Sequence, residues 1–129
     1  MNRMKNMTTY DLEERTSKFA KQIRSFVKKL PRTVANTEDS RQVIRSSGSV
    51  AANYIEANES VGSGDFLMRV KICLKESKES ALWLDICEVL PKDEPERQQL
   101  YSEARQFVRI FSTILRNAKR NMEHSKIAV

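Results

Sequence analysis

A chain of 129 residues that is 40% hydrophobic and 31% charged fits one domain with a core of its own and is too apolar for intrinsic disorder. Three glycines and three prolines leave little room for a turn-rich all-β fold, and no apolar run approaches the roughly 18 residues of a membrane span. The net charge of +6 permits an anionic partner such as RNA or DNA without requiring one.

Met1 to Tyr10 is polar and has no signal-peptide core, so a cytoplasmic location is expected, and the first nine residues are expected to fray. The first helix is predicted over about 12–30. Asp11 and Glu14 stand in a capping-box pattern at its start, and Pro31 stops it. Its apolar face is Leu12, Thr16, Phe19, Ile23, Phe26, Val27 and Leu30.

The second helix is predicted over about 38–60, capped by Thr37 or Asn36 and followed by the break at Gly62 and Gly64. Its centre, Arg45 to Ala57, is built almost wholly from small residues. Val43, Ser47, Val50, Ala51, Tyr54 and Asn58 share one face, as expected where helices approach closely. Gly48 costs roughly 1 kcal/mol against Ala inside a helix, which close backbone contact would offset. Gln42, Ser46, Ser49 and Asn53 form a second, uncharged face.

The third helix is predicted over about 65–90, capped by Ser63 or Asp65 and halted by Pro91. It has two apolar stripes. Phe66, Val70, Cys73, Leu74, Ser77, Ala81 and Leu84 form one; Met68, Ile72, Trp83, Ile86 and Leu90 lie almost opposite. Either this helix is deeply buried in the monomer, or the second stripe meets another subunit. Four helices rarely surround one of their own members, which favours self-association. Glu79 falls within that stripe and needs a partner, for which Arg45 and Asn53 are candidates. The rest of Lys75 to Ser80 reads as an exposed face of mixed charge.

The fourth helix is predicted over about 95–122, with Asp93 as cap, Glu96 in the capping-box position, and a frayed end from Glu123 to Val129. Leu100, Ala104, Phe107, Val108, Phe111, Ile114, Leu115 and Ala118 form its core face. Opposite lie Arg105, Arg109, Arg116 and Arg120 within an arc of about 60°, with Lys119 beside them and acids apart from the strip. Arginines suit bidentate phosphate contacts, although an ordinary solvated face has the same pattern. No aromatics interleave, so backbone contact without sequence readout is the most the strip supports. Short joints between the helices predict one domain over 1–129: an all-α, antiparallel up-down-up-down four-helix bundle.

Reaction chemistry finds little support. Glu56 with Glu59 and Glu76 with Glu79 have i,i+3 spacing, but the sole histidine is His124 and no Glu-x-x-His motif occurs, so no metal or other cofactor is expected. Cys73 and Cys87, fourteen positions apart on one predicted helix, would be about 21 Å apart and unpaired. They have no neighbouring histidine, and no phosphate-binding Gly loop is present, so no catalytic residue is assigned and the chain is not expected to be an enzyme.

Tyr10-Asp11-Leu12-Glu13, the run Ser46 to Ala57, Asp65-Phe66, Lys75-Glu76 and Glu79-Ser80-x-x-Trp83-Leu84 resemble the 23S rRNA intervening-sequence protein family over about residues 10–120. The resemblance implies a four-helix bundle that forms a homo-oligomer, commonly a pentamer. It also implies kinship with the accessory variability determinant protein of diversity-generating retroelements, a basic pentamer that engages a reverse transcriptase and nucleic acid. No catalytic residue carries over; Asn53, Glu56 and Glu79 match the family's polar positions. The leading expectation is a non-enzymatic oligomer that binds RNA or DNA, or a nucleic-acid enzyme such as a reverse transcriptase. Arg105, Arg109, Arg116, Lys119 and Arg120 would be its nucleic-acid surface. Met68, Ile72, Glu79, Trp83, Ile86 and Leu90 would be its subunit interface. A protein-interaction scaffold without nucleic-acid contact is the alternative, and no membrane partner is expected.

Overall fold

The computed structural model describes residues 9–128, with side chains placed from 11 to 124. Four helices account for most of them: α1 (Thr9–Val27), α2 (Val34–Asn58), α3 (Ser63–Ile86) and α4 (Glu94–Ala128). A 3-10 turn, Pro91–Asp93, leads into α4. Among the described residues there is no strand. None of these helices is long and apolar enough to cross a membrane.

Each helix packs on its two neighbours in a ring: α1 on α2 and α4, α3 on α2 and α4. The α2–α3 contact is the most extensive and α1–α4 the slightest. Apolar side chains spaced for helical faces converge on one core containing Phe19, Ile23, Phe26, Val50, Val70, Leu84, Phe107 and Phe111. Phe19 and Phe107 meet edge to face at 5.3 Å, and Tyr54 reaches across to Phe111 at 5.8 Å. The slender α1–α4 seam is reinforced by Arg15, whose Nε and Nη2 donate to the two Glu103 carboxylate oxygens at 2.8 and 2.6 Å. Its Nη2 also donates to Gln106 Oε1 at 2.6 Å, and its guanidinium lies 5.2 Å from the Phe107 ring centre. The hydrogen bond to Glu103 raises the Arg15 pKa above its usual value.

The α2–α3 seam is made of small and polar residues. Ser46 and Ser80 hydroxyls lie 2.7 Å apart in full burial. Arg69 Nη1 donates to Asn53 Oδ1 at 3.0 Å, and Cys73 Sγ donates to the Val50 carbonyl at 3.6 Å. Gln42, Ser46, Ser49 and Asn53 all lie half-buried or deeper, and Ser46 and Asn53 bond across to α3. The uncharged second face of α2 is thus turned toward its neighbour in the bundle rather than being an outer surface.

Several helix ends differ from expectation, each for a local reason. Asp11 lies inside α1, whose first described residue is Thr9. The expected fraying of Met1 to Thr9 otherwise lies outside the described residues. α1 ends at Val27, three residues before Leu30, as the chain turns toward Pro31. α2 starts four residues early because Thr33, in extended conformation, accepts a hydrogen bond from the Asn36 amide at 3.0 Å. Asn36, expected as a cap, is instead buried inside the first turn. α3 opens after Gly62, whose φ of 93° suits glycine, and neither Ser63 nor Asp65 caps it. It stops at Ile86 rather than Leu90: Cys87 and Leu90 are extended, and the Glu88 backbone bonds to Asn36.

Asp93 belongs to the 3-10 turn and does not cap α4, while Glu96 pairs with Lys29 of the first joint. α4 continues helically to Ala128 instead of fraying at Glu123, since no glycine or proline follows Pro95. Its 35 residues make it about 52 Å long. Gly48 also departs from expectation. A Cβ there would meet only Arg24 Nη2 at 3.7 Å, an ordinary contact with a flexible side chain, so no close helix approach requires the glycine.

Candidate functional site

The exposed arc of α4 is set by the burial of its opposite side. Leu100, Ala104, Phe107, Val108 and Phe111 are buried, together with Ile110, which the sequence pattern had not singled out. Ile114, Leu115 and Ala118 are half-buried. Arg105, Arg109, Arg116, Lys119 and Arg120 consequently all point to solvent. None of them makes an ion pair or hydrogen bond, whereas Arg15, Arg45 and Arg97 are all engaged by carboxylates. The strip therefore presents unneutralised guanidinium groups. One acid shares it: the longer helix carries exposed Glu123 onto the same line as Arg105, eighteen residues and five turns on. The expectation that acids avoid the strip holds only as far as Arg120.

The outer face of α3 is the second candidate surface. Met68 and Ile86 are 48% and 50% exposed, while Ile72 and Trp83 are half-buried. Trp83 packs against the core, and its indole Nε1 is shielded without a hydrogen-bond partner. Leu82, 48% exposed, also falls on this face, three residues after Glu79 and four before Ile86, and the sequence reading had left it out. Leu90, though exposed, lies beyond the end of α3 in the following joint.

Glu79 has its expected partner: Arg45 Nη2 donates to Glu79 Oε1 at 3.1 Å. Arg45 Nη1 donates to Glu76 Oε2 at 2.9 Å, and Glu76 is the deeper of the two, its side chain only 5% exposed. The reading of Lys75 to Ser80 as an exposed face is corrected here. Glu76, Ser77 and Ser80 are buried because that side of the turn meets α2. Alternating charges in sequence concealed their common orientation.

Reactive groups are sparse. Cys73 and Cys87 are free and buried; burial pushes the Cys73 thiol up to about 12 and the Cys87 thiol up to about 11. Cys87 follows the end of α3 rather than lying on it. Among the described residues no cluster of three histidine, cysteine or acidic groups is placed to hold a metal. A groove of about 710 Å³ opens between the α2–α3 turn and the later part of α4, walled by Phe66, Ala118 and Met122. Its lining offers amides and hydroxyls, such as Asn58, Asn121 and Ser63, but no titratable side chain.

Residues 9–117 match the family model of the 23S rRNA-intervening sequence protein. The chain belongs to that family. A crystal structure of a protein of unknown function from the S23 ribosomal protein family of Bacteroides thetaiotaomicron has a similar fold. It matches with a TM-score of 0.66 and 24% identity, over 80% of this chain and 96% of that one. No curated protein matches the chain. Family membership agrees with the resemblance carried by the small-residue run of α2 and the Glu79-to-Leu84 segment. Neither the family's description nor that structure states an activity, which leaves the outer faces of α3 and α4 as the functional candidates.

Proposed function

We propose that this member of the 23S rRNA-intervening sequence protein family is a non-enzymatic homo-oligomer. It binds RNA or DNA through phosphate contacts with little sequence preference. The observation that carries this reading is the line of Arg105, Arg109, Arg116 and Arg120, exposed and unpaired along α4. The bundle beneath it is up-down-up-down. Cross-helix contacts support this, since Asn36 meets Glu88, Ser46 meets Ser80 and Asn53 meets Arg69, in reverse order along α2 and α3. Lys29 meets Glu96 and Arg15 meets Glu103 in the same sense between α1 and α4.

Oligomerisation through Met68, Ile72, Leu82, Trp83 and Ile86 would remove an exposed apolar face from water and repeat the arginine strip around the assembly. By family resemblance the assembly is a pentamer. The same apolar face favours the second reading, an interaction scaffold whose partner is protein; a nucleic-acid enzyme such as a reverse transcriptase would combine both.

Fluorescence anisotropy of a labelled oligonucleotide at two salt concentrations tests the first reading. Affinity should fall steeply with salt, and Arg109→Glu with Arg116→Glu should abolish binding without changing helicity or particle size. Equal binding by wild type and variant overturns it. Light scattering on the eluting particle tests assembly: several chains per particle are expected, fewer for Trp83→Ala, and a clean monomer at micromolar concentration overturns it.

A further inference from the structure

We infer that the groove at the end of the bundle is the docking site of this chain's own first residues, Met1 to Thr8, which carry α1 onward beside α4 and seat Met4 in it. The groove, about 710 Å³, takes walls from three helices. Ala57 and Asn58 come from the end of α2, Phe66 from the start of α3, and Ala118 and Met122 from α4. Its fourth side faces the start of α1, because Asn58 Nδ2 donates to Glu13 Oε1 at 3.1 Å.

The register between α1 and α4 says which residues come beside the groove. With the two helices antiparallel, the Arg15–Gln106 and Phe19–Phe107 contacts bring Thr9 level with α4 between Ser112 and Asn117. The same register brings Met4 level with Asn117 to Met122, where the α4 wall lies. Eight helical residues span about 12 Å, and no proline or glycine interrupts them. Eleven residues make about three turns, so Met4 falls on the line of Arg15, the side of α1 that meets α4. Met1 falls in the same way on the line of buried Leu12.

Composition, charge and connectivity agree. Methionine adapts to irregular apolar gaps, and the half-buried Phe66, Ala118 and Met122 offer one. The charged side chains of the segment are Arg3 and Lys5, while exposed Glu59 and Asp65 stand next in sequence to Asn58 and Phe66 of the lining. Neither acid is ion-paired among the described residues. The tether holds the segment at an effective concentration on the order of millimolar, which a free competitor must match.

Disulfide trapping in the full chain tests the assignment. Met4→Cys/Met122→Cys, oxidised with diamide at micromolar protein, should close within one chain, as read by peptide mass mapping at unchanged particle mass. Met4→Cys/Arg32→Cys, with its second thiol at the opposite end of the bundle, should give at least about tenfold less product. Cys73 and Cys87 are buried and do not compete. In a second measurement, Ala118→Cys should react with a thiol reagent at least about fivefold faster once Met4→Asp is added, with helicity unchanged. A disulfide between two chains overturns the assignment and gives the groove to a second copy's segment. No disulfide above the control, together with equal labelling of Ala118→Cys in both backgrounds, overturns it and leaves the groove to another ligand.

Discussion

The Asn36 side chain clamps the backbone of Glu88 at two points: its Nδ2 donates to the Glu88 carbonyl at 2.9 Å, and its Oδ1 accepts from the Glu88 amide at 2.9 Å. The same Nδ2 donates to the Pro31 carbonyl at 2.9 Å. One carboxamide, 2% exposed, thereby joins the α1–α2 and α3–α4 connections at one end of the bundle. The clamp pairs both backbone groups of Glu88, while the Pro31 carbonyl also accepts from the Thr33 amide at 3.1 Å.

Asn36→Ala should therefore destabilise the fold by about 2–4 kcal/mol, since it strands the amide and carbonyl of Glu88 and removes one of the two donors to the Pro31 carbonyl. Asn36→Asp should do similar damage: it keeps an acceptor for the Glu88 amide but sets a carboxylate against two carbonyl oxygens. Urea unfolding followed by circular dichroism measures both, with an unchanged slope expected.

Gly48→Ala should stabilise the protein by about 0.5–1 kcal/mol. The site is helical, has no positive φ, and leaves room for a methyl beside Arg24. A melting temperature raised by a few degrees is the expected result.

The buried thiols set an alkaline limit. Both are held neutral in the fold, with values near 12 for Cys73 and 11 for Cys87 against 9.0 for a free thiol. Their contribution is complete below about pH 9. It declines as pH rises from 9 toward 12, because the unfolded chain then releases protons that the folded chain retains. At pH 8 a thiol reagent should label native protein slowly and urea-unfolded protein at once. Cys73→Ala/Cys87→Ala should show a shallower alkaline loss of stability.

Arg45→Met should cost about 1–3 kcal/mol, because it leaves the buried Glu76 carboxylate without its guanidinium. Adding Glu76→Gln should recover part of that loss rather than add to it. A double-mutant cycle from chemical denaturation gives the coupling.

Helix number and core faces were legible because burial imposes a 3.6-residue period, and Phe19, Ile23, Val50, Leu84 and Phe107 follow it. The α4 strip was legible for the same reason in reverse. The roles of Asn36 and Glu76 were not, because both depend on what lies across a seam. A polar residue near a helix start reads as a cap until the opposing Glu88 is known, and a charge beside Lys75 reads as solvated until α2 covers it. The end of α3 was misplaced because proline marks where a helix cannot continue, not where a competing hydrogen bond has already ended it.

The serine- and alanine-rich seam between α2 and α3 has one further consequence. Two smooth helical surfaces of small side chains could glide past each other by a turn, about 5.4 Å, and lose little dispersion energy. The directional bonds at Asn53–Arg69 and between Asn36 and the Glu88 backbone have no equivalent one turn away. They fix the axial phase of a contact that close packing alone would leave free to drift.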